Sequence, residues 1–324
     1  MLRMSWADQS ASALYAAACG AAANRALRRA GDLQGVVMIG SGYALSTSLP
    51  IVTFEDMTLA LALRQGEPPY DSLSQADASR WLARQKGIYE GSRGCCAASD
   101  WAAESIRSDY GIAADKVHAV GVGRNIEAGR AERDWSVPRF LFVGADWRRK
   151  RGAAVVKAFE IVRQRHPEAT LDLVGQHPPI EAAGVTGYGV LPLGSPEGQR
   201  RYRDLLRQAT CFLMPSSHEP FGIAYVDAGA TGLASIGTTV GGAPDAIGDG
   251  GRAVDPADEG ALVDAMLELA VPETARRLGQ LAFEHTAPLT WQAVGERLLR
   301  AMRPQGVDVE PLADFLQPVH GGAV

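Results

Sequence analysis

Four consecutive cations, Arg148, Arg149, Lys150 and Arg151, stand between a short apolar run and an amphipathic segment. Like charges in a row repel one another and draw anions. At the start of a helix they suit a diphosphate. Further on, Glu219 lies in Pro215-Ser-Ser-His-Glu-Pro-Phe-Gly222, just ahead of a predicted helix. The first amides of that helix, near Gly222 and Ile223, lack intrahelical partners and can receive a phosphate or sugar oxygen. Asp227 follows inside the helix, with Ile223, Ala224, Ala230 and Thr231 as its neighbours three and four positions away. A carboxylate there is costly unless something donates to it, and ribose hydroxyls would. Plainer readings exist for each: a solvated basic loop, a helix-capping acid, and a structural hydrogen bond.

Gly241-Gly242-Ala-Pro-Asp245 follows a predicted strand. Adjacent glycines let backbone approach a ligand closely, although tight turns use the same pair. His218 beside Glu219 does not have the spacing of a metal site, and His118 reads as an alternating strand position. No Ser/His/Asp arrangement and no dinucleotide glycine fingerprint stands out. The four cysteines form no CxxC pair, so buried reduced thiols are expected rather than zinc or disulfides.

These residues need elements to hold them. Apolar runs of four to seven residues alternate with helix-period segments, which predicts parallel sheets with crossover helices. In the first half the strands are expected at Gly35–Gly40, Pro50–Phe54, Gly94–Ala98 and Val117–Val122, after an alanine-rich helix over Ala11–Arg29. Ser99 or Asp100 should cap a helix that ends near Gly111. A linker is expected over Glu127–Pro138. In the second half strands are expected at Phe140–Val143, Thr170–Val174, Cys211–Met214, Ala234–Gly237 and Arg252–Val254, with helices after Gly152, over Arg200–Gln208 and up to Ala230. Each polar cluster falls at the carboxyl end of a strand, where open α/β sheets bind ligands.

With 324 residues the chain is long enough for two α/β domains. A hydrophobic share of 46% fits a soluble globular chain, and a net charge of −5 argues against a nucleic-acid partner. It does not exclude peripheral membrane contact through a local patch. No membrane span or signal-peptide layout is seen, so a cytoplasmic protein is expected.

Phe140-Leu-Phe-Val-Gly144, Arg149-Lys150, Leu173-Val-Gly175, Pro215-Ser216, Glu219 with Asp227, and Gly241-Gly-Ala-Pro-Asp245 together resemble glycosyltransferase family four. The resemblance covers residues 139–300 strongly and Gly35–Arg124 more weakly. It implies a retaining enzyme of the GT-B fold, with two Rossmann-like, doubly wound domains facing a cleft. The implied layout is an acceptor-side domain over 1–136, a donor-binding domain over 137–302, and a tail over 303–324 that crosses back. The first domain looks short, because residues 1–34 show neither the opening strand nor the glycine-rich loop usual in the family.

By this likeness Lys150, with Arg148 or Arg149, would hold the diphosphate of a UDP- or GDP-sugar, and Gly175, Ser216, Gly241 and Gly242 would line the donor site. Glu219 and the Gly222 and Ile223 amides would meet the transferred sugar, and Asp227 the ribose. Where many members carry a catalytic-region histidine, this chain shows Asp56. No cofactor or metal is implied. The expected activity is hexosyl transfer to an unknown acceptor. The alternatives are a non-catalytic nucleotide-sugar-binding protein and a sugar-nucleotide epimerase.

Overall fold

Short runs rich in Val, Ile, Leu, Phe and Ala become parallel strands in two separate sheets. The computed structural model describes residues 13–127 and 129–303. The first sheet contains β1 (Val36–Ile39), β2 (Ile51–Glu55), β3 (Gly94–Ala97) and β4 (Val117–Ala119), in that spatial order. The second contains β5 (Arg139–Gly144), β6 (Thr170–Gly175), β7 (Val185–Gly189), β8 (Cys211–Leu213), β9 (Ala234–Thr238) and β10 (Gly251–Val254), in the order β10-β9-β8-β5-β6-β7.

The described helices are α1 (Ala13–Arg29), α2 (Leu59–Gln65), α3 (Gln75–Gly91), α4 (Asp100–Ser108), α5 (Gly152–Arg165), α6 (Pro196–Gln208), α7 (Ile223–Ala230), α8 (Ala243–Ile247), α9 (Glu259–Leu269), α10 (Pro272–Thr286) and α11 (Trp291–Met302). Their starts follow local chemistry. Ser99 accepts the Ala102 amide at 3.1 Å to cap α4, and Gly111 takes the left-handed conformation just beyond it. Thr58, Ser74 and Ser195 cap α2, α3 and α6 in the same way.

Strand alternation decides which helices cover which face. In the second sheet Phe140, Phe142 and Leu171 pack against Val155 and Phe159 of α5 and Leu262 and Met266 of α9. Leu141 and Phe212 pack on the other side against Leu205 of α6 and Tyr225 of α7. Helices on both faces and a reversal of strand order between β5 and β8 make this sheet doubly wound, with its switch point between those two strands. The first sheet runs in one direction without reversal.

Several sequence expectations need adjustment. The strand expected over Val117–Val122 keeps only three residues, and α2, α3 and β7 were not foreseen. The linker carries no regular element but is tied down by Arg133. Its guanidinium donates to the carbonyls of Leu206, Arg207, Thr231 and Gly232 at 2.7–3.3 Å. Among the described residues α11 returns to the first domain: Val294 and Leu298 pack with Val52, Cys96 and Val120. Residues 304–324 of the expected tail lie outside the described residues, as do Ala11 and Ser12 of the first helix.

Candidate active site

The switch point brings together two loops far apart in sequence. The loop after β5 carries Arg148, Arg149 and Lys150, and the loop after β8 carries Ser216, His218 and Glu219. Lys150 Nζ donates directly to Glu219 Oε2, and both side chains are buried. Arg149 Nη1 stands 3.6 Å from the same oxygen and donates to the carbonyl of His218 at 3.1 Å. Ser216, fully buried, donates its hydroxyl to Glu219 at 3.2 Å. Burial pushes the Lys150 ammonium below its ordinary pKa, and Glu219 partly offsets the shift. Arg148 is exposed, with its amide on Asp146 at 3.1 Å, and takes no part in this cluster.

Three glycines make the geometry sterically feasible. Gly222 precedes α7 with φ 91°, and a side chain there would run into Tyr225. Gly241 has φ 98°, and a Cβ would fall 2.2 Å from the Glu219 carbonyl. A Cβ on Gly242 would fall 2.2 Å from the Pro220 carbonyl. Glu219 N donates to Val240 O at 3.1 Å and Gly242 N returns a bond to Glu219 O at 2.9 Å. The glycine pair therefore clamps the Glu219 backbone, a packing role that accounts for it without a ligand. Gly175 similarly lets β6 approach β5, since a Cβ there would lie 1.8 Å from the Gly144 carbonyl.

Asp227 already has partners within the chain. The expectation of a ribose partner rested on a carboxylate without donors, but its Oδ1 accepts the Asn125 amide at 2.7 Å, with the Ile126 amide also donating. The residue is 3% exposed. Its donors come from the segment joining the two domains. Burial outweighs those two amides and raises the pKa to about 6. Asp245 makes a comparable link, accepting the Asp100 amide at the N-terminus of α4 at 2.6 Å.

Glu219, Pro220, Phe221, Gly222 and Ile223 form one wall of a cavity of about 730 Å³ between the domains. The opposite wall holds Asp56 and a strand-then-glycine loop, Gly40-Ser41-Gly42, after β1. Asp56 is open to the cavity. Loss of hydration there raises its pKa, and the charges of Glu219 and Glu67 add to the rise.

Sequence reasoning missed Glu67, which pairs with the His218 imidazole across the cleft. It also missed Glu55, which sits under the cavity floor and accepts from Tyr89 at 2.5 Å, Ser41 at 2.8 Å and Gln85 at 3.2 Å. Burial lifts its pKa to about 7 against the pull of these donors. Glu67 stands in no motif, and Glu55, although next to Asp56 in sequence, was passed over because a strand-end carboxyl gives no sign of its buried donors.

Two facing α/β units with a doubly wound second sheet and a cleft between them define the GT-B fold. Residues 137–271 match the family described as Glycosyl transferases group 1. A D-inositol 3-phosphate glycosyltransferase of Streptomyces griseus is 36% identical over 99 residues, covering 30% of this chain and 21% of that protein. One from Paenarthrobacter aurescens is 28% identical over 268 residues, covering 75% of this chain and 63% of its own. The chain thus spans less than two thirds of the length of these relatives.

Among solved structures, WaaG, a glycosyltransferase involved in lipopolysaccharide biosynthesis, matches with a TM-score of 0.63 at 15% identity, over 85% of this chain and 80% of its own. Sucrose-phosphate synthase from Thermosynechococcus elongatus matches with a TM-score of 0.57 at 21% identity, over 79% and 67%. Among the described residues no helix is long and apolar enough to cross a membrane.

Proposed function

We propose that this chain transfers a hexosyl group from a nucleoside-diphosphate sugar to an acceptor hydroxyl, with retention of configuration. The observation that carries the reading is the buried contact of Lys150 with Glu219 at the second sheet's switch point, beside the N-terminus of α7. In this reading the diphosphate displaces the ion pair's contact and takes the Lys150 ammonium, with Arg149 alongside. The Gly222 and Ile223 amides receive sugar or phosphate oxygens, and the freed Glu219 carboxylate accepts from a hydroxyl of the transferred sugar. Asp56 faces the acceptor from the other wall.

Catalysis then rests on positive charge aimed at the departing diphosphate. The bond from the anomeric carbon to the diphosphate oxygen breaks while the acceptor oxygen bonds to the same face. The acceptor proton leaves with the diphosphate. Because Lys150, Arg149 and helix amides supply the charge, the reading needs no divalent cation, and turnover is expected to survive EDTA. The relatives are named for D-inositol 3-phosphate; their acceptor is not part of this reading.

The test is calorimetric titration of UDP and GDP, followed by an assay of diphosphate release from UDP- and GDP-hexoses. Micromolar binding of one nucleotide, lost in Lys150→Ala, is the expected result. Failure of both nucleotides to bind would sink the reading. An altered sugar nucleotide formed from donor alone would point instead to epimerisation.

A further inference from the structure

The cavity wall opposite the donor cluster has a marked chemical character. Tyr43, Phe54, Tyr70 and Trp81 line it, and so do the carboxyl-bearing Glu55 and Asp56. Glu219 stands at the border with the donor side. Among the described residues, no Lys, Arg or His lines this cavity. The nearby cations are committed elsewhere. Lys150 and Arg149 face Glu219, the His218 ring is held by Glu67, and Arg84 donates to the Gly42 carbonyl at 3.4 Å without lining the cavity.

We propose that the acceptor is an uncharged hydroxyl compound carrying an apolar ring, and not a phosphorylated sugar or polyol. The proposal rests on the transferase reading and extends it to the acceptor. A phosphate ester is recognised by forked guanidinium donors or ammonium groups, and this wall offers none. A dianion entering the cavity would meet the carboxyl of Asp56, which stands open to it, and no cation on the wall to offset that repulsion. Aromatic rings, in contrast, give a flat apolar surface for the face of a ring, while Asp56 and the Ser41–Gln85–Glu55 cluster accept from or donate to hydroxyls. The volume of about 730 Å³ lies within the range of small-molecule pockets and admits a glycoside-sized acceptor.

Phenyl β-D-glucopyranoside and glucose 6-phosphate are suitable probes, titrated into the purified chain with and without saturating UDP. The phenyl glucoside is expected to bind at least ten times more tightly than glucose 6-phosphate. Asp56→Lys, which reverses the charge on the wall, should raise glucose 6-phosphate affinity at least tenfold. Asp56→Asn, which removes only the charge, should move the ratio the same way by less, and it serves where the lysine variant does not fold. Equal or tighter binding of glucose 6-phosphate by the unaltered chain overturns the proposal. So does failure of the phenyl glucoside to bind, or a ratio unmoved by either substitution. UDP titrated alone keeps the two readings apart, because its failure to bind counts against the transferase assignment whatever the acceptors do.

Discussion

The carboxylate of Asp227, in the middle of α7, accepts the backbone amide of Asn125 at 2.7 Å across the junction of the two domains. A residue expected to hold a ligand also holds the segment leading out of the first domain. Its pKa of about 6 exceeds the ordinary aspartate value of 3.8, so protonation is favoured in the folded chain. The stability linked to this group is therefore fully present below pH 3.8 and lost as pH rises through 6. Asp227→Asn should raise stability at pH 7.5, and with it the melting temperature, by up to roughly 3 kcal/mol of unfolding free energy if the whole shift were recovered. The gain should vanish near pH 4. Asp227→Ala should be less stable than Asp227→Asn at both pH values by about 1–3 kcal/mol, because it leaves the Asn125 and Ile126 amides unpaired. Melts of the three proteins at the two pH values decide it. An asparagine variant destabilised equally at both would show that the ionised carboxylate is what the junction needs.

The Lys150–Glu219 pair gives a test that separates stability from binding. Lys150→Ala leaves the buried Glu219 carboxylate with only Arg149 at 3.6 Å and the Ser216 hydroxyl, and should cost on the order of 3 kcal/mol without nucleotide. Adding Glu219→Gln should recover much of that stability, since the buried charge is gone. Nucleotide affinity should not recover, because the contact to the diphosphate is still absent; its loss is worth about one to two decades. The double-mutant cycle is read by thermal melts and by calorimetry on the same samples. Recovery of both quantities would mean that Lys150 serves only to neutralise Glu219.

Gly241→Ala tests whether the glycine pair acts through Glu219. The new methyl group would fall 2.2 Å from the Glu219 carbonyl on a backbone with φ 98°. Both terms destabilise, and we expect a loss of roughly 2 kcal/mol or more together with weaker nucleotide binding. Gly260→Ala, whose nearest neighbour would be Asp258 Oδ1 at 3.2 Å in the first turn of α9, is a control expected to change binding little. If Gly241→Ala melts normally yet binds no nucleotide, the glycine meets the ligand directly.

What could be read in advance was local. Ser99 and Gly111 were legible as the ends of α4 because capping depends on residues within one turn. Five of the six strands of the second sheet, all but β7, were legible because runs such as Phe140–Val143 and Cys211–Met214 are largely buried. Helix α3 was missed because its buried positions, Trp81, Gln85 and Tyr89, include a glutamine and a tyrosine that satisfy each other's surroundings through Glu55 and Tyr110. Candidate residues were found by type, but their partners were not. Lys150 and Glu219 are 69 positions apart, and Asn125 and Asp227 are 102 apart. Only the adjacency of β5 to β8 brings the first pair together, and only domain packing brings the second. The donors of Asp227 went unseen for that reason: its helical neighbours were visible, whereas the Asn125 and Ile126 amides lie far off in the sequence.

Glu55 supplies the last prediction, because it couples the floor of the cavity to pH near neutrality. Its carboxyl accepts from Tyr89, Ser41 and Gln85, yet burial still lifts its pKa to about 7, above the ordinary 4.5. The stability linked to it is fully present below pH 4.5 and declines as pH rises through 7. Glu55→Gln keeps the shape and an acceptor oxygen but cannot ionise. It should therefore match the unaltered protein within about 1 kcal/mol at pH 5, where one rearranged hydrogen bond is the main difference. At pH 8.5 it should be more stable, by up to roughly 3 kcal/mol for the full shift. Because Ser41 and Gln85 also line the cavity, acceptor binding by the unaltered protein should change across pH 6–8, and Glu55→Gln should flatten that profile. Melts at the two pH values and acceptor titrations across the range measure both effects. A variant that loses stability equally at pH 5 and pH 8.5, with an unchanged binding profile, would show that Glu55 is ionised in the folded chain throughout and that its donors outweigh its burial.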